Sequence, residues 1–270
     1  MSTAQQKSSM TGHQGSMAAC APPQDMVGKV AFITGSAKNM GKQFALALAR
    51  RGCDVVVHHR KDGAEAEKTA QEIQAMGRKA LIIQGELTSV AGIEQIFKQI
   101  MSTFGHIDIV VNNAGMVLKK PMAQISEAEY DQVFNINAKV PFFIMKECCK
   151  HMADNGRVIN IGTTLLAITT GEYSAYAGSK APLEDFSRAM AKEVGARGIT
   201  VNTIAPGPID TPFFYGQETK ESTALFASLS VAGRLGDVKD VVPVVEFIAS
   251  PAAQWITAQT LFVNGGVTAR

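Results

Sequence analysis

The sequence predicts an α/β fold: a single-domain, doubly wound parallel sheet of about seven strands with helices on both faces. Three observations point there. From Val30 onward, short apolar runs alternate with stretches of helical length and helical periodicity. The runs are almost continuously apolar, as in Ile107-Asp108-Ile109-Val110-Val111, which suits strands buried on both faces. A chain of 270 residues, 46% of them hydrophobic, is long enough for one large core.

The elements follow in order. Val30 to Ile33 is a buried strand that ends at Thr34-Gly35, and residues 41–51 form a helix closed by Gly52. Asp54 to His58 is a strand, residues 63–76 a charged, Ala-rich helix stopped by Gly77, and Ala80 to Ile83 the third strand. Residues 90–104 are helical and Ile107 to Val111 is a strand. A long helix covers 127–150 with Pro141 inside it, where a proline breaks or kinks helical bonding. Arg157 to Ile161 is a strand, 175–195 a helix, Thr200 to Ile204 a strand, 239–249 a helix, and Thr260 to Val263 the last strand. No internal repeat interrupts this pattern, so one domain, 26–270, is expected. Residues 1–25, rich in Gln, Ser, Gly, Met and Ala, lack apolar periodicity and the apolar stretch of a signal peptide; they are expected to be a disordered tail.

Composition excludes several function classes. The net charge of +2 leaves no electrostatic footprint for nucleic acid or an anionic membrane. No run of about 18 apolar residues offers a membrane span, and a cytoplasmic location is the expectation. Cys20, Cys53, Cys148 and Cys149 form no C-x-x-C pair, so free thiols in a reducing compartment are expected, and no metal site.

The first strand-to-helix turn, Thr34-Gly35-Ser36-Ala37-Lys38-Asn39-Met40-Gly41, carries small residues that let a backbone approach a diphosphate. The helix behind it offers free N–H groups and the positive end of its dipole. Gly35, Lys38, Asn39, Met40 and Gly41 are therefore candidate cofactor contacts. The second strand ends in His58-His59-Arg60-Lys61, with no acid before Asp62. An acid there would accept from a ribose 2′-hydroxyl, whereas a guanidinium suits a 2′-phosphate. His59, Arg60 and Lys61, with Lys38 nearby, thus favour NADP(H) over NAD(H).

Thr34, Gly35 and Gly41 match the T-G-x-x-x-G-x-G turn of the short-chain dehydrogenase/reductases, with Asn39 at the middle glycine. The chain resembles that family over residues 29–266. The resemblance implies a Rossmann-like, NAD(P)-dependent oxidoreductase. It places Glu86 and Leu87 against an adenine ring. It matches Asn112-Asn113-Ala114-Gly115 to the family's N-N-A-G, where Asn113, Ala114 and Gly115 either touch the cofactor or only fix the sheet end. It also places Pro206, Gly207, Ile209 and Thr211 near the nicotinamide carboxamide.

Tyr176 and Lys180 are four residues apart, so on a helix they share one face. A cation beside a phenol favours the phenolate, and a phenol tuned in this way can protonate a developing alkoxide near neutral pH. The family carries a Ser hydroxyl 13 residues before this Tyr, and here that position is Thr163, with Thr164 the second choice. Asn137, in Ile136-Asn137-Ala138-Lys139-Val140-Pro141-Phe142, matches the Asn that holds a water joining the Lys to solvent.

Phe213 to Ser230 is the expected substrate lid. Leu165, Tyr173, Phe213 and Phe214, with Thr163, are expected to line an apolar pocket for an uncharged small-molecule carbonyl or alcohol. The expected function is NADPH-dependent reduction of a ketone, aldehyde or quinone. The alternatives are a 3-oxoacyl thioester reductase and a catalytically weak NADP(H)-sensing protein. The resemblance further implies a homotetramer or homodimer formed through the long helices and the C-terminal end.

Overall fold

The computed structural model describes residues 23–168 and 170–269. Its strands are β1 (Val30–Ile33), β2 (Asp54–His59), β3 (Ala80–Gln84), β4 (Ile107–Asn112), β5 (Met152–Ile161), β6 (Thr200–Pro206) and β7 (Thr260–Val263). They form one parallel sheet in the order β3-β2-β1-β4-β5-β6-β7. The chain winds outward from β1 to β3, then returns to the middle and winds the other way. The strand order therefore reverses between β1 and β4, where an open α/β sheet leaves a crevice at its carboxyl ends.

The period of two in the strands divides the core. Ala31 and Ile33 of β1 face the layer made by α1 (Asn39–Arg50), α2 (Gly63–Ala75) and a late helix, Val238–Ala249. Val30 and Phe32 face the layer containing α3 (Val90–Phe104). Phe32 is fully buried and meets Phe97 of α3 edge-on, with ring centroids 5.9 Å apart. Truncating a side chain so placed costs about 3–5 kcal/mol.

The long helix expected over 127–150 is divided into α4 (Glu127–Phe134), a π turn over Asn135–Lys139, and α5 (Val140–His151). Pro141 gives the reason. It has no N–H for the carbonyl of Asn137, and just before it the Val140 N–H reaches back five residues to the Asn135 carbonyl. The helix expected over 175–195 is likewise two, α6 (Ser174–Lys180) and α7 (Pro182–Val194), because Pro182 begins a new helix at its first position. The lid segment, expected only as a loop, contains α8 (Pro212–Tyr215) and α9 (Lys220–Leu229), capped by the Thr211 and Thr219 side chains. The helix Val238–Ala249 is α10.

Most of the expected tail, residues 1–22 with Cys20, lies outside the described residues. Asp25 pairs with Arg51 at 2.5 Å, and Met26 is buried. Cys53 and Cys148 are free and buried, and Cys149 is free and half-buried. Among the described residues no helix is long and apolar enough to cross a membrane.

Candidate active site

A cleft of about 610 Å³ opens at the carboxyl ends of the central strands. One end is built by the β1–α1 turn. Gly35 (φ +66°) and Asn39 (φ +53°) both adopt the left-handed backbone. Asn39 thus occupies the conformation a glycine would take freely, and asparagine tolerates it better than most residues. Gly41 is needed for a different reason. A Cβ there would lie 2.6 Å from Asn113 Nδ2, and closer still to the Gly35 carbonyl oxygen. α1 begins with no side-chain cap and no acid in its first turn, so its leading N–H groups remain available to an anion.

Asn113 joins this turn to β4. Its Nδ2 donates to the carbonyls of Thr34 (3.0 Å) and Gly35 (3.4 Å). The Thr34 hydroxyl oxygen accepts from the backbone N–H groups of Asn113 (3.0 Å) and Ala114 (2.8 Å). The Asn113 side chain is therefore committed to the fold, while Ala114 and Gly115 line the cleft behind it.

His58 fixes the ends of three strands. Its Nδ1 accepts from the Gly35 N–H (3.1 Å), so the ring proton sits on Nε2 and is donated to the Gly85 carbonyl (3.2 Å). Burial pulls its pKa down to about 4, which keeps the ring neutral. His59 is also buried and lines the cleft. Arg60 stands exposed at the rim and has no ion-pair partner among the described residues. Lys38, the other expected cation, is paired with Asp62 at 2.7 Å. Lys61 lies outside the cleft, in a shallow depression beside it with Gln84 and Gly85. Glu86 borders the cleft and accepts the Thr88 N–H (3.2 Å), and Leu87 is buried next to it.

At the other end of the cleft, α6 carries Tyr176 and Lys180, 7% and 4% exposed. Lys180 Nζ donates to the Ile161 carbonyl, the last of β5, at 2.7 Å, and burial lowers its pKa to about 8. The expectation that Lys180 lowers the Tyr176 pKa needs correction for this structure. Burial pushes the phenol up to about 12, and what opposes it is hydrogen bonding with the Thr163 hydroxyl. The Lys180 ammonium is turned to a backbone carbonyl instead.

Thr163, at the end of β5, accepts the Leu165 N–H through Oγ1 (3.3 Å) and stands beside the phenol. Thr164 turns away and donates to the Ala205 carbonyl (3.4 Å). Asn137 is fully buried and does not line the cleft. Its Oδ1 accepts the Met116 N–H (3.0 Å), and its Nδ2 donates to the Met116 carbonyl (2.8 Å) and to Ser179 Oγ (3.0 Å). Gly115 lets these groups converge: a Cβ there would lie 2.9 Å from Asn137 Oδ1 and 3.3 Å from Lys180 Nζ. Ser179, which sequence reasoning passed over, donates to the Tyr176 carbonyl at 2.7 Å. Its only signal was its place next to Lys180.

Leu165, Tyr173, Phe213 and Phe214 line the cleft together with Met116 and Phe226. The Tyr173 ring lies 6.0 Å from that of Tyr176. Pro206, the last residue of β6, and Gly207, Ile209 and Thr211 beyond it form a further wall, and Thr211 caps α8 by accepting the Phe214 N–H (3.4 Å).

A family model described as enoyl-(acyl carrier protein) reductase matches residues 35–268. A hydroxynaphthalene reductase-like protein, Arp2, of Metarhizium brunneum is 34% identical over 258 residues, covering 90% of this chain and 96% of that protein. The crystal structure of a putative dehydrogenase from Burkholderia cenocepacia with bound NADP is 41% identical, with a TM-score of 0.89 over 92% of this chain and 96% of that one. The angucycline C-6 ketoreductase LanV with bound NADP is 29% identical, with a TM-score of 0.84 over 90% of this chain and 96% of that one.

Proposed function

The chain belongs to the short-chain dehydrogenase/reductase family, and from that premise we propose that it reduces the carbonyl of an uncharged ketone or quinone with NADPH. The observation that carries this reading is the meeting of Tyr176, Thr163 and Lys180 in one cleft with the glycine-lined turn at Gly35 and Gly41.

The residues present fit the dinucleotide. The close approach at Gly41 and the uncapped start of α1 suit a diphosphate. The Arg60 guanidinium, with no ion-pair partner among the described residues and no acid at the end of β2, suits a 2′-phosphate. Two similar structures that were solved with NADP favour the same choice. When bound, the cofactor supplies the hydride, and the protein binds, orients and polarises.

Tyr176, protonated at neutral pH, donates its proton to the substrate oxygen as negative charge develops there. Thr163 Oγ1 donates a second hydrogen bond to that oxygen and orients it. Lys180, with a pKa of about 8, stays largely charged at neutral pH and, held by the Ile161 carbonyl, keeps a cation at the inner end of the cleft. Both N–H donors of the Asn137 side chain are committed, to the Met116 carbonyl and Ser179, and its oxygen accepts the Met116 N–H. Its backbone carbonyl, which Pro141 cannot pair, is the group that would hold the water joining Lys180 to solvent.

Tyr173, Phe213, Phe214 and Phe226 form aromatic walls suited to a planar substrate, and both the Arp2-like relative and LanV carry reductase names for fused-ring compounds. The test is a panel containing a fused-ring aromatic ketone, a quinone, a small aliphatic ketone, and 3-oxoacyl and enoyl thioesters, run with NADPH and with NADH. The expected result is NADPH oxidation on the fused-ring ketone or the quinone. Cofactor binding with no oxidation on any carbonyl, or turnover confined to thioesters, would overturn the reading.

A further inference from the structure

We propose that Glu218 is a positioning residue: it clasps the lid over the cleft and, through Tyr173, fixes the wall against which a bulky substrate packs. The inference rests on reading the cleft as a carbonyl-reduction site. It concerns how the lid is held, which the chemistry at Tyr176 does not decide.

Neither α8 nor α9 buries a single residue. Leu225 and Leu229 are exposed, and Phe213 is 45% exposed. A segment with so little buried apolar surface is held weakly by packing and opens easily. Glu218, between the two helices, is the exception, because its side chain is 0% exposed. One carboxylate oxygen lies 2.7 Å from Lys119 Nζ, on the loop after β4, and the other accepts from the Tyr173 hydroxyl, on the loop after β5. Next to it, Gln217 Oε1 accepts the Lys119 N–H at 3.3 Å. Lys119 Nζ also lies 5.7 Å from the centre of the Tyr173 ring.

Three loops that border the cleft therefore meet at one buried carboxylate. The loops after β4 and β5 are joined a second time, where the Lys120 N–H donates to the Glu172 carbonyl at 2.7 Å. Glu172 holds φ +65°, a conformation costly for a side chain of its kind, and it directly precedes Tyr173. The backbone strain and the clasp thus act on the same aromatic wall. Tyr173 has its hydroxyl occupied by Glu218 and presents its ring to the cleft. It serves as a surface and leaves proton donation to Tyr176.

The test compares the full-length wild-type chain with Glu218→Ala, Glu218→Gln and Tyr173→Phe. Two readouts are used: deuterium exchange over residues 211–231, and steady-state kinetics with NADPH and a fused-ring aromatic ketone. Losing charge-assisted hydrogen bonds to a buried carboxylate predicts about tenfold faster lid exchange in Glu218→Ala. It also predicts a KM for the bulky ketone raised about tenfold, with kcat moved less than about twofold and NADPH affinity unchanged. Glu218→Gln, which keeps one acceptor oxygen and so serves one of the two donors, should recover part of each effect. Tyr173→Phe, which removes one arm and disturbs folding least, should show a smaller rise in lid exchange. Unchanged lid exchange in both Glu218→Ala and Tyr173→Phe would overturn the proposal. So would a loss of NADPH affinity as large as the rise in KM. If no ketone is turned over at all, the proposed activity fails while the exchange experiment still decides the clasp.

Discussion

Replacing Gly41 by alanine tests whether the β1–α1 turn is the anion cradle. The added Cβ would stand 2.6 Å from Asn113 Nδ2 and nearer still to the Gly35 carbonyl, where ordinary contact begins at 3.4 Å. Asn113 cannot retreat without releasing the Thr34 and Gly35 carbonyls, and the Gly35 oxygen is backbone. α1 must instead move away from the turn by about 1.1 Å to clear the Gly35 oxygen, and overpacking of this kind costs about 1–3 kcal/mol. For a domain of this size that lowers Tm by roughly 2–12 °C. The same displacement moves the free N–H groups of α1 off a bound phosphate, where each charge-assisted hydrogen bond contributes about 1.5–3 kcal/mol, so NADPH affinity should fall at least about tenfold. Thermal unfolding and a fluorescence titration with NADPH measure the two effects. A variant with a lowered Tm and an intact Kd would refute this turn as the phosphate site, and one in which neither changes would refute the packing argument as well.

The remaining predictions concern charge and hydroxyls. Lys180 has a pKa of about 8 in the folded chain against an ordinary 10.5. The unfolded chain therefore binds the extra proton between those values, and stability rises with pH across that window by up to about 3 kcal/mol. Urea unfolding near the two limits should show this rise in the wild type and its loss in Lys180→Met; equal slopes in both proteins would contradict the burial of the ammonium. Thr163→Val should lower kcat/KM by roughly 10²-fold with NADPH affinity unmoved, while Thr163→Ser stays active. Equal activity of the valine variant would remove Thr163 from the mechanism. Arg60→Glu should weaken NADPH by roughly 10–100-fold and leave NADH nearly unaffected, as read from paired Kd values; a parallel loss for both cofactors would remove Arg60 from the 2′-phosphate site.

Much of this was legible because it depends on local period. Alternating apolar runs gave the strands from Val30 to Val263 and the parallel sheet, and the spacing of Tyr176 and Lys180 placed both in one cleft. What the sequence hid depends on tertiary context. Pro141 announces a break but does not say that Val140 will pair five residues back to make a π turn. Helices α8 and α9 were missed because their few apolar positions face no core, so no amphipathic stripe marks them. Lys38 reads as a phosphate ligand in sequence, yet Asp62, 24 residues on, stands beside it in space. The effect of Lys180 on Tyr176 was misjudged because shared face on a helix does not give the direction of the ammonium, which the Ile161 carbonyl decides. Glu218 gave no signal at all, since its partners Lys119 and Tyr173 lie in two other loops.

The role of Tyr176 as the proton donor is tested most directly by Tyr176→Phe, with NADPH binding and ketone turnover measured on the same preparation. The account predicts NADPH affinity within about twofold of wild type and a fall in turnover of at least roughly 10²-fold, the contribution expected of a positioned general acid. Turnover near the wild-type level in that variant would contradict it.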